Sequence, residues 1–183
     1  EDGFGNLRLA ALANVPPGGP FFPASYHRGG EPAFAIATEA ADLGVTSFQG
    51  AHDLGDARRR LIDAIEDHAN RLEAVAQSLA KKHAVRFNGL DFTLAPFPER
   101  QLSIGAAMEL LGVPSVGAHG SLASAAIVTD TLDQADFQRV GFNGLMLPVL
   151  ENATLAARSL ERLYTVNELL QKENFVTEEW DVQ

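Results

Sequence analysis

Hydrophobic positions in this chain fall into short continuous runs and one long periodic stretch. The runs at residues 33–38 and 84–94 suit buried strands. Residues 53–83 carry apolar side chains at successive spacings of 7, 4, 3, 4, 3 and 4, which predicts an amphipathic helix. Strands apolar on both faces that alternate with helices predict an α/β fold with mainly parallel strands. The helical stripe consists of Leu54, Leu61, Ile65, His68, Leu72, Val75 and Leu79.

The ends of the 53–83 helix carry charges that match its dipole. Asp53 and Asp56 lie in the first turn, and the sequence Lys-Lys-His at 81–83 lies in the last. We interpret His68 as a packing histidine rather than a ligand, and His83 as part of the helix end. The heptad-like spacing also suits a coiled coil, although such a helix more often covers a sheet or a neighbouring helix.

Shorter patterns complete the predicted order of elements. Residues 1–170 form one predicted α/β domain, and residues 171–183 form an acidic tail or an arm onto a partner. The remaining predictions are strands at 7–13 and 45–48, a helical turn at 39–44 that ends at Gly44, and helices at 103–111, 122–131 and 151–170.

A four-residue repeat suggests internal duplication. Phe-Asn-Gly-Leu occurs at 87–90 and again at 142–145, each time in a β-favouring run followed by a proline and a helix. Matching flanks favour a duplicated strand–turn–helix unit, with the second strand at 139–149. Glycine within a buried strand leaves room for close approach of a backbone or a ligand.

Composition excludes several classes of function. The 183 residues are 46% hydrophobic and 21% charged, with a net charge of −10, so we expect neither nucleic acid nor an anionic membrane as a partner. The chain has no cysteine, which excludes disulfides, thiolate metal sites and a thiol nucleophile. No membrane-spanning stretch or secretory signal is visible, and we expect a cytoplasmic protein.

A stiff loop precedes the first clear strand. Residues 14–23 hold four prolines and two glycines, which fix and shape the backbone. This loop delivers Tyr26, His27 and Arg28. Either the loop covers the core with its two phenylalanines, or His27 faces a pocket together with Tyr26 and Arg28.

Asp91 is the one acid inside the apolar run at 84–94. An unpaired buried carboxylate costs several kcal/mol, so Asp91 needs a cation, hydrogen-bond donors or a metal. It belongs either to a functional site or to a strand end, where loop N–H groups bind it.

The sequence Gly117-Ala118-His119-Gly120-Ser121 opens the predicted helix at 122–131. Free N–H groups at a helix start favour an anion. The pattern is neither a Walker loop, since no lysine follows, nor GxGxxG. A tight turn with a serine cap explains it equally well.

Three residues are the candidate catalytic set: His27, Asp91 and His119. In α/β proteins, polar groups gather where strands end and helices begin. If the three converge, they make a general acid–base set or an oxygen- and nitrogen-ligated metal site, but no spacing motif identifies a metal or a cofactor. The candidate ligand-binding residues are Tyr26, Arg28, Gly117, Gly120, Ser121 and Asn143.

Several segments in collinear order resemble the DUF711 family, also called UPF0210, a family of bacterial and archaeal proteins without an assigned function. The segments are LRLAALANVPPGGPFFPASYH, TSFQGAHDLGDA, GLDFTLAPFPE, GVPSVGAHGSLASAAI, GFNGLMLPVLE and YTVNELL, from about Gly5 to Leu170.

The resemblance implies a ten-stranded α/β barrel like that of pyruvate formate-lyase and class III ribonucleotide reductase. No cysteine is present to serve as the thiyl partner that those enzymes use. Family members are longer on both sides of the matched part, so we expect part of a barrel. Its strand edges would need a homodimer or a complementary chain to cover them.

Two functions follow from these expectations. The first is an enzyme-like barrel subunit that binds a small polar or anionic molecule at a His/Asp site, with hydrolysis, lyase chemistry and isomerisation all open. The alternative is a non-catalytic subunit or interaction protein that completes an oligomeric assembly through its long helix and acidic tail.

Overall fold

The computed structural model describes residues 13–21, 24–148 and 151–162. Within these ranges the chain forms two strands, five α-helices and a short 3₁₀ turn. In chain order they are β1 (Ala33–Ala37), α1 (Ala41–Phe48), α2 (Leu54–His83), β2 (Arg86–Asp91), the 3₁₀ turn (Arg100–Leu102), α3 (Ile104–Leu110), α4 (Ser121–Gln134) and α5 (Ala153–Leu160).

The two strands lie side by side and run parallel. Phe34 is in register with Phe87 and Ile36 with Leu90, with an irregularity between the two pairs. Parallel neighbours need a crossover connection, which α1 and α2 supply. The predicted α/β class is therefore confirmed at the level of a small parallel sheet with helices.

Helix α2 follows the predicted bounds because its end signals are local. Asp53 is the N-cap, and its side chain accepts a hydrogen bond of 2.7 Å from the N–H of Asp56. Ala84 ends the helix in the left-handed region, with φ of 52°. His68 is half-buried, with Nδ1 2.8 Å from the carbonyl oxygen of Ala64, in keeping with a packing role.

The apolar stripe of α2 is covered along its middle and exposed at its two ends, where Leu54 is 44% exposed. Leu61 and Ile65 are fully buried, whereas Val75 is 60% and Leu79 43% exposed. Towards the C-terminus of α2, the buried positions are alanines, whose small side chains allow neighbouring elements to come close. These alanines lie to one side of the predicted stripe, so the buried face turns around the helix axis. The buried positions are Ala57, Leu61, Ile65, Ala69 and Ala76.

The helical turn predicted at 39–44 is confirmed as helix over 41–44, but its end at Gly44 and the strand at 45–48 are wrong, because α1 continues to Phe48. Gly44 does not end this helix. A Cβ built on Gly44 would lie 3.3 Å from the Cβ of Ala107, so the glycine allows α1 to pack closely on α3. The same packing buries Phe48. Tertiary contact thus overrides a β-favouring local sequence.

The predicted strand at 139–149 is also wrong. As far as this segment is described, to residue 148, it forms one parallel bridge: the N–H of Leu90 donates to Gln138 O at 2.7 Å, and the N–H of Val140 donates to Leu90 O at 3.0 Å. Beyond it, Gly141 and Asn143 have φ values of 85° and 47°, which turn the chain away from a strand. The two Phe-Asn-Gly-Leu segments therefore do not form a duplicated unit.

The later helices agree with the sequence patterns. Helix α3 begins at the N-cap Ser103, and α4 covers the predicted 122–131 and extends it at both ends. Helix α5 begins after the N-cap Asn152 and ends at Leu160, earlier than predicted, because Glu161 is its C-cap and Arg162 adopts φ of 58°. Residues 163–170 of the predicted 151–170 helix, all but the last residue of the strand predicted at 7–13, and the tail at 171–183 lie outside the described residues.

Side chains of the sheet alternate between a helix-covered face and an open face. Phe34 and Phe87 pack on the core, with ring centroids 5.3 Å apart. Ala33, Ala35 and Asn88 point the other way and line a cavity to which no described helix contributes a residue. This open face is where the described chain offers space for a ligand.

A partly buried ion pair joins α3 to α5. The guanidinium of Arg158 donates to both carboxylate oxygens of Glu109, at 2.8 and 3.0 Å, and the N–H of Val116 donates to the same carboxylate at 2.9 Å. Burial by itself raises the pKa of Glu109. The hydrogen bonds from Arg158 and Val116 outweigh burial and leave that pKa below its ordinary value of 4.5.

We expect Glu109→Gln to lower the free energy of unfolding by about 1–2 kcal/mol at neutral pH, since a charge-assisted pair is lost. Because the folded-state pKa of Glu109 is lowered, its stabilisation is complete above about pH 5 and is lost as pH falls through that pKa. Urea unfolding at several pH values should show the free energies of unfolding of the natural protein and of Glu109→Gln becoming equal as the pH falls.

Glu161→Gln is the matched control for this prediction. Glu161 pairs with the same Arg158 at 3.0 Å but is 50% exposed, so its replacement should change stability by less than about 0.5 kcal/mol. Equal losses of stability in Glu109→Gln and Glu161→Gln would contradict the stabilising role of the pair between Glu109 and Arg158.

No helix in the described ranges combines the length and the apolar character needed to cross a bilayer.

Candidate functional site

A cavity of about 860 Å³ lies between the open face of the sheet and the proline- and glycine-rich loop. Its floor includes Ala33 and Ala35 of β1, and its rim includes Tyr26, His27 and Arg28. The volume is in the range of a small-molecule site. Among the predicted residues, the structure therefore brings together the three that the loop delivers.

Hydrogen bonds hold this loop in shape. Gly18, with φ of 94°, donates its N–H to Tyr26 O at 2.9 Å, and the hydroxyl of Tyr26 donates to Val15 O at 2.5 Å. The side chain of Asn88 on β2 donates to Gly18 O at 3.4 Å. Phe21 is 63% exposed, so it does not cover the core as one sequence interpretation expected of both phenylalanines, and Phe22 lies outside the described residues. The loop instead forms a wall tied to the sheet.

His27 has one ring nitrogen engaged. Its Nδ1 accepts a hydrogen bond from the N–H of Gly29 at 3.1 Å. A neutral imidazole that accepts through Nδ1 carries its proton on Nε2. His27 is exposed on the cavity rim, so its Nε2–H can donate a hydrogen bond to a ligand.

The cavity carries an excess of positive charge in an acidic protein. Arg28 and Arg86 line it together with a single acid, Glu31. Within the described ranges, neither arginine forms an ion pair. Guanidinium groups left free in a concave site favour carboxylate or phosphate.

Asp91 lies at the carboxyl end of β2, is fully buried, and has all its contacts within the protein. Its Oδ1 accepts from Thr93 N at 2.9 Å, Thr93 Oγ1 at 2.5 Å and Asn143 N at 2.9 Å. Its Oδ2 accepts from Phe142 N at 2.9 Å. The sequence analysis offered two interpretations of Asp91, and the structure agrees with the second, in which loop N–H groups bind the carboxylate at a strand end.

Asn143 completes the same structural cluster. Its side-chain Oδ1 accepts from Phe92 N at 2.9 Å and its Nδ2 donates to Val140 O at 3.0 Å. Both polar groups of the side chain are therefore used within the protein. The cluster fixes the segment at 138–145 beside β2, and Val140 of that segment lines the cavity.

The segment at 117–121 forms the tight turn that the sequence allowed as an alternative, but the N-cap of α4 is Gly120 and not the predicted serine. The hydroxyl of Ser121 donates to Ala118 O at 2.8 Å and accepts from Gly117 N at 2.9 Å. Gly120 precedes α4 with φ of 95°. His119 is exposed in this turn.

The three candidate catalytic residues do not share one site in the described structure. His27 lines the cavity, whereas Asp91 is enclosed by the loop at 142–143 and His119 does not line the cavity. The described residues contain no group of three or more metal-binding side chains. A catalytic part for Asp91 or His119 stays a prediction.

Sequence reasoning missed two cavity residues on β2, Arg86 and Asn88. Both lie in a run that was interpreted as uniformly apolar. The missed signal is their spacing of two, because residues i and i+2 of a strand point to the same face. A cation and an amide on one face of a buried strand indicate a polar lining.

Comparison with known proteins places this chain in a family. A sequence model of the family described as Uncharacterised ACR (DUF711) matches residues 1–173. The chain belongs to the DUF711 family. The resemblance recognised from the sequence segments is therefore confirmed.

Curated relatives of this DUF711 chain carry the name UPF0210 protein. The protein of Sulfurisphaera tokodaii is 30% identical over 84% of this chain and 36% of its own length. Those of Pyrobaculum arsenaticum and Methanococcoides burtonii are 32% and 31% identical over 88% of this chain, and over 38% and 39% of their own lengths. The DUF711 chain thus spans well under half of the relatives that it matches.

Proposed function

We propose that the cavity between the loop and the open sheet face binds a small anionic molecule, as part of an enzyme-like α/β protein. The observation that supports this most directly is the pair Arg28 and Arg86, which line one cavity without a described ion partner in a chain of net charge −10. In such a chain a local cationic site selects ligands of opposite charge.

The other rim groups supply polar recognition and keep the cavity in shape. The hydroxyl of Tyr26 bonds within the loop, and Asn88 ties the loop to the sheet, so the two walls of the cavity keep a fixed spacing. His27 presents Nε2–H beside the arginines. If the ring of His27 releases the N–H of Gly29, its nitrogens can accept and give up a proton beside a bound carboxylate or phosphate, as hydrolysis, lyase chemistry or isomerisation would require.

We further propose that the sheet continues beyond β1 into the ten-stranded barrel implied by the family resemblance. Pro32 O accepts a hydrogen bond from Arg86 N, and Thr38 N donates one to Asp91 O. The backbone N–H and C=O groups of the even-numbered residues along β1 therefore point towards β2. The backbone groups of Ala33, Ala35 and Ala37 then point to an edge with no described neighbour. Relatives more than twice as long contain the sequence for further strands.

The same open edge supports the alternative function, a non-catalytic subunit that completes an oligomeric assembly. An uncovered edge strand is a template for pairing with another chain. A homo-oligomer or a complementary chain would each cover it.

The anion site is tested by isothermal titration calorimetry with inorganic phosphate, succinate and glycerol 3-phosphate, with glucose as a neutral comparison. We expect at least one anion to bind and glucose not to bind. Arg28→Ala and Arg86→Ala should each weaken binding about tenfold or more, because a charge-assisted hydrogen bond contributes about 1.5–3 kcal/mol.

Two further variants sharpen the titration. His27→Gln should weaken binding by less than either arginine change, since it removes one neutral hydrogen bond worth about 1 kcal/mol. Arg71→Ala is the matched control, because Arg71 is exposed and pairs only with Asp67 on α2 among the described residues. Unchanged affinity in both cavity variants, or an equal loss in the control, would overturn the proposal.

A further inference from the structure

The cavity of the proposed anion site also contains a carboxylate. Glu31 lines it together with Arg28 and Arg86, and its side chain is exposed there. In the part of the chain that the structure describes, Glu31 forms an ion pair with neither arginine. A carboxylate beside the site repels a ligand that carries only negative charge. Glu31 therefore suits a ligand that also carries a cationic group.

The strand pairing places the backbone of Glu31 beside that of Arg86. The next residue, Pro32, accepts through its carbonyl oxygen a hydrogen bond of 3.0 Å from the N–H of Arg86. Before Glu31, Gly29 and Gly30 have φ values of 84° and 98°, which turn the chain on the cavity rim. The acid and the arginine thus extend from neighbouring backbone positions into one cavity.

The charged groups of the cavity form a simple set. Two guanidinium groups, of Arg28 and Arg86, face one carboxylate, of Glu31. The imidazole of His27 is neutral when its Nδ1 accepts the hydrogen bond from Gly29. A ligand with the opposite charges carries two anionic groups and one ammonium group, which is the charge set of an acidic amino acid. A cavity of about 860 Å³ has room for such a molecule.

We propose that this cavity binds an acidic amino acid, with its two carboxylates at Arg28 and Arg86 and its ammonium group at Glu31. This inference rests on the proposed function, because it names the class of anion that the same site selects. A guanidinium group pairs with a carboxylate through two parallel hydrogen bonds, and an ammonium group supplies three donors. Glu31 is then the residue that separates amino acids from simple dicarboxylates.

Isothermal titration calorimetry of the natural protein with L-aspartate and succinate tests the proposal, because the two ligands differ by one ammonium group. We expect L-aspartate to bind about fivefold more tightly, the effect of one charge pair at a partly solvated rim. Two further ligands separate the charges. L-Asparagine lacks the second carboxylate and N-acetyl-L-aspartate lacks the ammonium charge, and each should bind more weakly than L-aspartate.

Glu31→Gln assigns the preference to one side chain. In this variant the affinity for L-aspartate should fall about fivefold, because the ammonium group loses its charged partner. The affinity for succinate should stay the same or rise, since a repulsion is removed. Glu39→Gln is the matched control, because Glu39 is equally exposed but does not line the cavity. It should leave the ratio of the two affinities unchanged.

The outcomes separate this inference from the function on which it rests. Succinate binding as tight as or tighter than L-aspartate binding in the natural protein would overturn the amino acid and leave the anion site in place. Equal weakening of both ligands by Glu31→Gln would also overturn it, because the carboxylate would then shape the cavity without selecting the ammonium group. Binding of neither ligand, nor of phosphate, would overturn both proposals.

Discussion

Replacing Asp91 with alanine is expected to lower the free energy of unfolding by at least about 3 kcal/mol, as measured by urea denaturation. The carboxylate accepts four hydrogen bonds from Thr93, Phe142 and Asn143 and is fully buried. Its removal leaves N–H groups of two separate chain segments without an acceptor, and each such group costs about 1–3 kcal/mol. The loss arises because Asp91 joins β2 to the loop at 142–143.

Asp91→Asn separates charge from shape in the same measurement. The asparagine side chain is similar in size, but an NH2 donor replaces one of the two carboxylate oxygens and faces an N–H donor of the protein. We therefore still expect most of the loss in the free energy of unfolding. Asp63→Asn is the control, since Asp63 is exposed on α2 and should change stability by no more than about 0.5 kcal/mol. A stability of Asp91→Ala close to that of the natural protein would contradict this role.

Gly89→Ala is expected to destabilise the protein by about 3 kcal/mol or more, or to prevent folding. Gly89 has φ of 139°, and a Cβ built there would lie 2.5 Å from the carbonyl oxygen of Gln138. That oxygen is backbone and accepts the hydrogen bond from Leu90 N at 2.7 Å, so it cannot move without loss of the bridge. Thermal unfolding followed by circular dichroism measures the effect.

Gly30→Ala is the matched control for Gly89→Ala. Gly30 also has a positive φ, 98°, but nothing lies within 4 Å of a Cβ at that position. It should show only the conformational cost of a left-handed residue, about 1–2 kcal/mol. If the two variants lose equal stability, steric contact with Gln138 is not the reason for glycine at position 89.

The elements that the sequence predicted well have local causes. Helix α2 is an example, because the cap of Asp53, the helical periodicity and the basic last turn all lie within the helix. Glycine was less informative on its own. Gly44 suggested a helix end, yet its role is close packing against Ala107, a residue more than sixty positions later.

The second Phe-Asn-Gly-Leu segment shows why the rest could not be predicted. Its composition favours a strand, but Asn143 adopts a positive φ and donates its N–H to the carboxylate of Asp91. The need of Asp91 for donors was clear from its burial. Thr93, two residues later, supplies two of those donors, but the other two come from Phe142 and Asn143, about fifty positions away, and could not be identified.

For the candidate site, the proline- and glycine-rich loop was the informative signal. The structure places Tyr26, His27 and Arg28 around one cavity, while Asp91 and His119 lie elsewhere. Chain order alone does not tell which loops share a side of a sheet. Arg86 and Asn88 were accessible to sequence reasoning through their alternate spacing in β2, and they complete the lining.

The central claim is that Arg28 and Arg86 bind one anion together in the cavity. Nuclear magnetic resonance of the arginine Nε–H groups tests it most directly, with signals assigned through single Arg→Lys variants during titration with phosphate and succinate. We expect the signals of Arg28 and Arg86 to shift with one shared, saturable midpoint, while the signal of Arg71 stays in place. Shifts that do not saturate, or that occur in only one of the two cavity arginines, would contradict the claim.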